Sequence, residues 1–159
     1  MTGVDKKILP IFKLNFSEAK RTAKNLKISQ QRLASHSPFT TMDLNNEDNL
    51  DKLDAFRARF TDLQDTLGRK VFGTLLLLEA EEKGSMIDIL NQMEKRLIIA
   101  DVDEWIAVRD LRNRFTHDYP EAEMSRLEAL QLGYEKIDYL LNIVQTVEQY
   151  VSNRMQVSL

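Results

Sequence analysis

From Leu53 to Val71 the chain sets Leu53, Phe56, Phe60, Leu63, Leu67 and Val71 three or four residues apart. That spacing puts every one of them on a single face of an α-helix, and it is incompatible with the two-residue alternation of a strand. The same rhythm returns in Phe16, Ala19, Ala23, Leu26 and Leu33, and again in Leu127, Leu130, Tyr134, Ile137, Leu141, Val144, Val147 and Val151. The three prolines, Pro10, Pro38 and Pro120, fall between these stretches, and glycine occurs only five times. A chain with so few breakers, placed this way, folds as helices packed on helices. The expected class is all-α, an antiparallel bundle of four to five helices. At 159 residues it forms one domain, 1–159, with a sizeable core.

The predicted elements follow from these signals. A first helix spans about 15–36 and ends at Ser35-His36-Ser37-Pro38, where His36 is expected as an exposed capping residue. A polar loop leads to a long second helix over about 47–81, in which Gly68 and Gly73 either allow close packing or mark a kink. Ser85 with Asp88 has the spacing of a capping box and opens a short third helix to about Arg96. Asp101 with Glu104 opens the fourth in the same way. A final helix runs from after Pro120 to about Asn153.

Several chemistries lack their residues. There is no cysteine, hence no disulfide or thiolate site, which fits a reducing cytoplasm. His36 and His117 are the only histidines and stand in no metal-ligand spacing. Gly3, Gly68, Gly73, Gly84 and Gly133 form no phosphate-cradling loop. The longest apolar run, Leu75 to Leu78 with Val71 and Phe72 nearby, is far short of the roughly 20 residues that cross a bilayer. The N-terminus has no continuous apolar core of a signal peptide. No cofactor and no membrane partner are expected, and the predicted location is cytoplasmic.

One segment breaks the apolar logic. On the fourth helix Trp105, Val108, Leu111 and Phe115 share an arc, and Arg112 projects between Trp105 and Val108 on that same arc. An unpaired buried guanidinium costs several kcal/mol, so Arg112 requires a partner anion, a water-filled cleft or a subunit interface. His117 and Tyr119 follow at the helix end, before Pro120. Five residues along a straight helix turn through about 500°, so Arg112 and His117 diverge by about 140°. They converge if the last turn unwinds, or if two copies of the helix meet across a two-fold axis. A catalytic use therefore favours a homodimer.

These groups suit attack by an RNA 2′-hydroxyl on its own 3′-phosphate. An imidazole titrating near neutrality moves the proton, and an arginine fork stabilises the added phosphate charge, with no metal. Asn113 and Arg114 are candidates for contact with RNA phosphate or sugar, and Tyr119 for stacking or phosphate contact. The plainer use is also open: an arginine paired with a neighbouring helix's carboxylate, and a histidine capping helix carbonyls.

Charge is unevenly spread. Residues 1–40 hold eight Lys and Arg against Asp5 and Glu18, about +6 in a chain whose net charge is −3, which leaves about −9 on the rest. The basic first helix could meet a polyanion such as RNA, or dock on its own acidic body.

The string Arg112-Asn113-Arg114-Phe115-Thr116-His117-Asp118-Tyr119 resembles the signature of the HEPN superfamily, an arginine followed by a polar residue and then a histidine five positions on. More narrowly, Arg-x4-His-x-Tyr is similar to the HepT toxins encoded beside a minimal nucleotidyltransferase. The resemblance covers about 48–155, with 1–40 as an added basic helix longer than a minimal family member has. It implies a helical bundle dimerising through the motif helix and a metal-independent endoribonuclease toxin of a toxin–antitoxin pair, with Arg112 and His117 catalytic. It also implies a nucleotidyltransferase antitoxin that silences the toxin by attaching AMP to Tyr119. Some superfamily members serve instead as non-catalytic partners of nucleotidyltransferases, and a scaffold role for the motif is the third alternative.

Overall fold

The computed structural model describes residues 4–116 and 122–159, which hold helices and no strand. In order these are α1 (Leu9–Leu33), α2 (Thr41–Asn45), α3 (Glu47–Asp65), a π-helical turn (Thr66–Val71), α4 (Phe72–Leu78), α5 (Met86–Lys95), α6 (Val102–Thr116), α7 (Glu123–Glu135) and α8 (Ile137–Met155). None of the helices among the described residues is long and apolar enough to cross a membrane.

α1 begins earlier than its sequence predicts, because Pro10 sits inside the first turn. There its missing N–H has no helical partner to lose, and its fixed φ suits the helix. The extra turn buries Phe12, which stacks with Phe16 at 5.9 Å between centroids. The expected loop after α1 is more structured than its polarity suggests. Thr40 N–H donates to Asp43 Oδ2 at 2.8 Å to open α2. Phe39 is buried, and its N–H donates to Gln131 Oε1 on α7 at 3.0 Å. His36 is a half-buried residue rather than an exposed cap, with Nδ1 3.5 Å from Asp43 Oδ1.

Two helices read as continuous are broken. The predicted 47–81 helix passes through the π-helical turn, which contains Gly68. A Cβ on Gly68 would stand 3.1 Å from Trp105 Cζ2, so the close packing expected of this glycine is present, inside the π-helical turn. Trp105 is fully enclosed and lies 4.9 Å from the Phe72 ring. The predicted last helix divides at Lys136 into α7 and α8. Tyr134 and Leu141, expected in its core stripe, are only partly buried, while Leu140 and Ile143 fill the core. The two capping signals act as read. Asp88 N–H donates to Ser85 Oγ at 3.3 Å, and Asp88 Oδ2 accepts from the Ser85 hydroxyl at 2.7 Å and from Ser85 N–H at 3.0 Å, bonds that hold the Asp88 carboxyl below its ordinary value. Glu104 N–H donates to Asp101 Oδ1 at 2.7 Å.

Side-chain bonds set the directions of the helices. Arg59 reaches Ser29 Oγ at 2.8 Å, while Lys70 reaches Glu18 at 3.0 Å and Asn15 reaches Thr74 at 3.5 Å. Numbers rise along one helix as they fall along the other, so α1 runs antiparallel to α3 and its continuation. By the same test α1 opposes α8, through Gln30–Asp138 at 2.9 Å and Lys20–Glu148 at 3.2 Å. α3 opposes α6, through Arg57 to Phe115 O at 2.8 Å and Asp65 to Arg112. Phe12 and Phe16 of α1 lie in one apolar cluster with residues of α3, α6 and α8.

Candidate functional site

The motif helix is seated by its apolar face. Trp105 and Val108 are fully buried, and Leu111 and Phe115 are nearly so. The Phe115 ring meets Phe56 and Phe60 edge-on, at 5.8 and 5.3 Å between centroids. Its carbonyl accepts a hydrogen bond from Arg57 Nη2 at 2.8 Å, an arginine that also pairs with Asp54 at 3.3 Å. A cation thus satisfies one of the carbonyls near the end of the described part of α6.

Arg112 lies where its spacing puts it, with a side chain only 16% exposed. Its anion is Asp65, the last residue of α3, whose Oδ1 accepts from Nη2. Nη1 donates to Asn113 Oδ1 at 2.7 Å, and the buried Nε finds no partner among the described residues. The demand made by the sequence, that Arg112 have a counter-charge, is therefore met within the chain. Asp65 is a shared acceptor, since Arg69 Nε lies 3.6 Å from the same oxygen. Arg114 Nη2 donates to Ser125 O at 3.0 Å and to Ser125 Oγ at 3.1 Å, linking α6 to α7. Thr116 Oγ donates to Asn113 O at 3.0 Å. His117 and Tyr119 lie outside the described residues.

The pieces that sequence reasoning did not find are Asp65, Arg57 and a groove beside them. The groove has a volume of about 540 Å³ and runs between α1 and the junction of α3 with the π-helical turn, with Arg21, Asn25, Asp65, Thr66 and Arg69 among its walls. Asp65 and Arg69, four residues apart, were a readable helical ion pair. Their proximity to Arg112 depends on α3 and α6 lying antiparallel, which no local pattern reports. Among the described residues no group of three or more His, Asp or Glu is placed to hold a metal ion.

An arginine in this setting can do two things. It can hold α6 to α3 through Asp65, or it can exchange that carboxylate for a phosphate, since each presents a pair of anionic oxygens to the planar guanidinium fork. No family model, no curated protein and no solved structure matches the chain.

Proposed function

We propose that this chain is a HEPN-like ribonuclease toxin of a toxin–antitoxin pair, acting as a homodimer without a metal, and silenced by AMP attached to Tyr119 by a partner nucleotidyltransferase. The observation that carries the reading is the setting of Arg112: a guanidinium on the apolar arc of the motif helix, largely withdrawn from solvent, beside a groove and held by one exchangeable carboxylate.

In this mechanism an RNA phosphate displaces Asp65 from the Arg112 fork. His117 accepts the proton of the 2′-hydroxyl as that oxygen attacks the adjacent phosphorus, and the bond from phosphorus to the 5′-oxygen breaks. That His117 belongs to the second copy, and the leaving 5′-oxygen takes its proton from water. The products are a 2′,3′-cyclic phosphate and a 5′-hydroxyl. Arg112 stabilises the extra negative charge on phosphorus in the transition state. An adenylate on Tyr119 would compete for the same guanidinium with its own phosphate, so one modification opposes both binding and chemistry.

A second reading is favoured by a specific contact. Because Asp65 and Asn113 already occupy both Nη atoms of Arg112, the motif can serve as a strut in a non-catalytic partner of a nucleotidyltransferase. Expression without the partner separates the two. The wild type is expected to arrest growth, while Arg112→Ala and His117→Ala at equal protein level are tolerated. Equal growth of all three strains removes the nuclease assignment. A mass gain of one AMP with enzyme and ATP, lost in Tyr119→Phe, tests the silencing step separately.

A further inference from the structure

α1 carries a single acid, Glu18, and that acid is turned to Lys70. The rest of its solvent face, from Lys13 to Arg32, presents Lys13, Lys20, Arg21, Lys24, Lys27 and Arg32, all exposed. At 100° per residue these six fall within an arc of about 140°, and at 1.5 Å per residue they extend for about 28 Å. Lys20 bonds Glu148 at 3.2 Å and Lys27 the Gln30 amide oxygen at 2.9 Å; the other four have no ion-pair partner among the described residues. Lys20–Lys24, Arg21–Lys24 and Lys24–Lys27 are like-charge neighbours at helical spacing, which repel. A helix assembled this way relieves its self-repulsion by binding a polyanion.

We propose that the solvent face of α1 binds the phosphate backbone of RNA and leads the strand to the Arg112 site. The inference rests on the ribonuclease reading for the identity of the polyanion and for where the strand goes. Continuity supports it: Arg21 lines both the cationic face and the groove, where Arg21, Arg69 and Lys70 stand among Glu18, Asp62 and the Asp65 that holds Arg112. An acidic protein fits this face less well. It offers no exposed aromatic anchor, and its exposed apolar residues are few, Ile11 and Leu14 at the start of the helix and Ile28 about 21 Å beyond Leu14. Phosphates alone are read, so binding is insensitive to base sequence.

The test uses a labelled single-stranded 2′-O-methyl RNA, which has no nucleophile and cannot be cut, with affinity measured by anisotropy from 50 to 300 mM salt. Replacing Lys13, Lys20, Lys24 and Lys27 together by Gln, a residue that keeps helix propensity, is expected to flatten the plot of log affinity against log salt by about 2, at about 0.7 for each of the three lysines not paired with Glu148. Glu148→Gln, which frees Lys20, is expected to steepen it by up to about 0.7. Arg112→Ala loses cleavage of ordinary RNA but changes the slope by no more than about one contact, so failure of catalysis and failure of this surface are separately visible. An unchanged slope in the fourfold variant with its melting temperature intact overturns the proposal. So does absence of wild-type binding at 50 mM salt. Displacement of the RNA by poly-glutamate at equal charge assigns the face to an acidic protein instead.

Discussion

Gly133 of α7 lies against the Phe115 ring of the motif helix with no room for a side chain. A Cβ there would lie 2.6 Å from Phe115 Cζ and 3.3 Å from Phe56 Cζ. Phe115 cannot swing away, because Phe56 and Phe60 already enclose its ring. Gly73 offers the control: its added Cβ would meet Lys83 Cε at 2.8 Å, the far part of a flexible side chain. Gly133→Ala is therefore expected to cost about 1–3 kcal/mol through overpacking. Gly73→Ala is expected to be neutral or to stabilise by up to about 1 kcal/mol, since alanine loses less backbone freedom in a helix. Thermal melting reads the difference at about 2–4 °C for each kcal/mol in a chain of this size. The reverse order would mean that α7 does not rest on Phe115 as described. Arg112 teaches a complementary lesson about single residues. Its position on an apolar arc was plain from spacing, and so was its need for an anion. That the anion is Asp65 was not, because the pairing is made by tertiary contact between distant elements.

The ends of α4, α5 and α8 are tied by one ionic cluster. Glu79 Oε1 accepts from Arg96 Nε and from the Tyr150 hydroxyl, both at 2.8 Å, and Arg96 also reaches Glu81 at 2.9 Å. Burial opposes the charge on Arg96, yet the bonds to Glu79 and the field of Glu81 outweigh it and hold the guanidinium above its ordinary range. For Tyr150, burial and then the bond to Glu79 push the phenol above its ordinary value of 10.0. The unfolded chain releases that proton first, near pH 10. The contribution of Tyr150 is thus complete below pH 10 and declines as pH rises through its folded value. Tyr150→Phe is expected to be less stable than wild type at pH 8 and to lose less on going from pH 8 to 11 by urea midpoint. Tyr139, raised by burial and by Glu104 and Asp101, leaves a residual alkaline slope in both proteins. An identical pH response would show that this clamp does not form. At this scale the sequence was most informative, and its errors are physical. Apolar periodicity located the helices and two short-range capping pairs located helix starts. The break at Lys136 was hidden because no proline marks it and apolar residues continue across it, while at 66–71 Gly68 alone signalled that the helix could depart from regularity. Trp105 and Lys136's partner Glu104, 3.4 Å away, act on those breaks from elsewhere in the chain.

At the scale of the whole molecule, the uneven charge and the motif geometry make one demand on assembly. Part of the basic excess of α1 is taken up inside the chain by Glu148, while the Glu18–Lys70 pair fastens α1 to the π-helical turn and occupies the one acid of the helix. The remainder is on exposed side chains, accessible to an external polyanion. Arg112, by contrast, points at its own chain. A straight helix sets His117 about 140° away from it, so a metal-free acid–base pair closing on one phosphate needs an imidazole from another copy. If the nuclease reading is right, the 18.5 kDa chain is expected to sediment at twice that mass at micromolar concentration. Subunit mixing gives the sharper outcome. Arg112→Ala and His117→Ala are each inactive alone, but a mixed dimer regains one composite centre out of two, so an equal mixture recovers about a quarter of the wild-type rate at statistical exchange. A monomer that cleaves RNA would refute the shared centre while leaving the chemistry intact. A stable dimer with no recovery on mixing would place each Arg112 with its own chain's histidine, which requires the last turn of the motif helix to unwind instead.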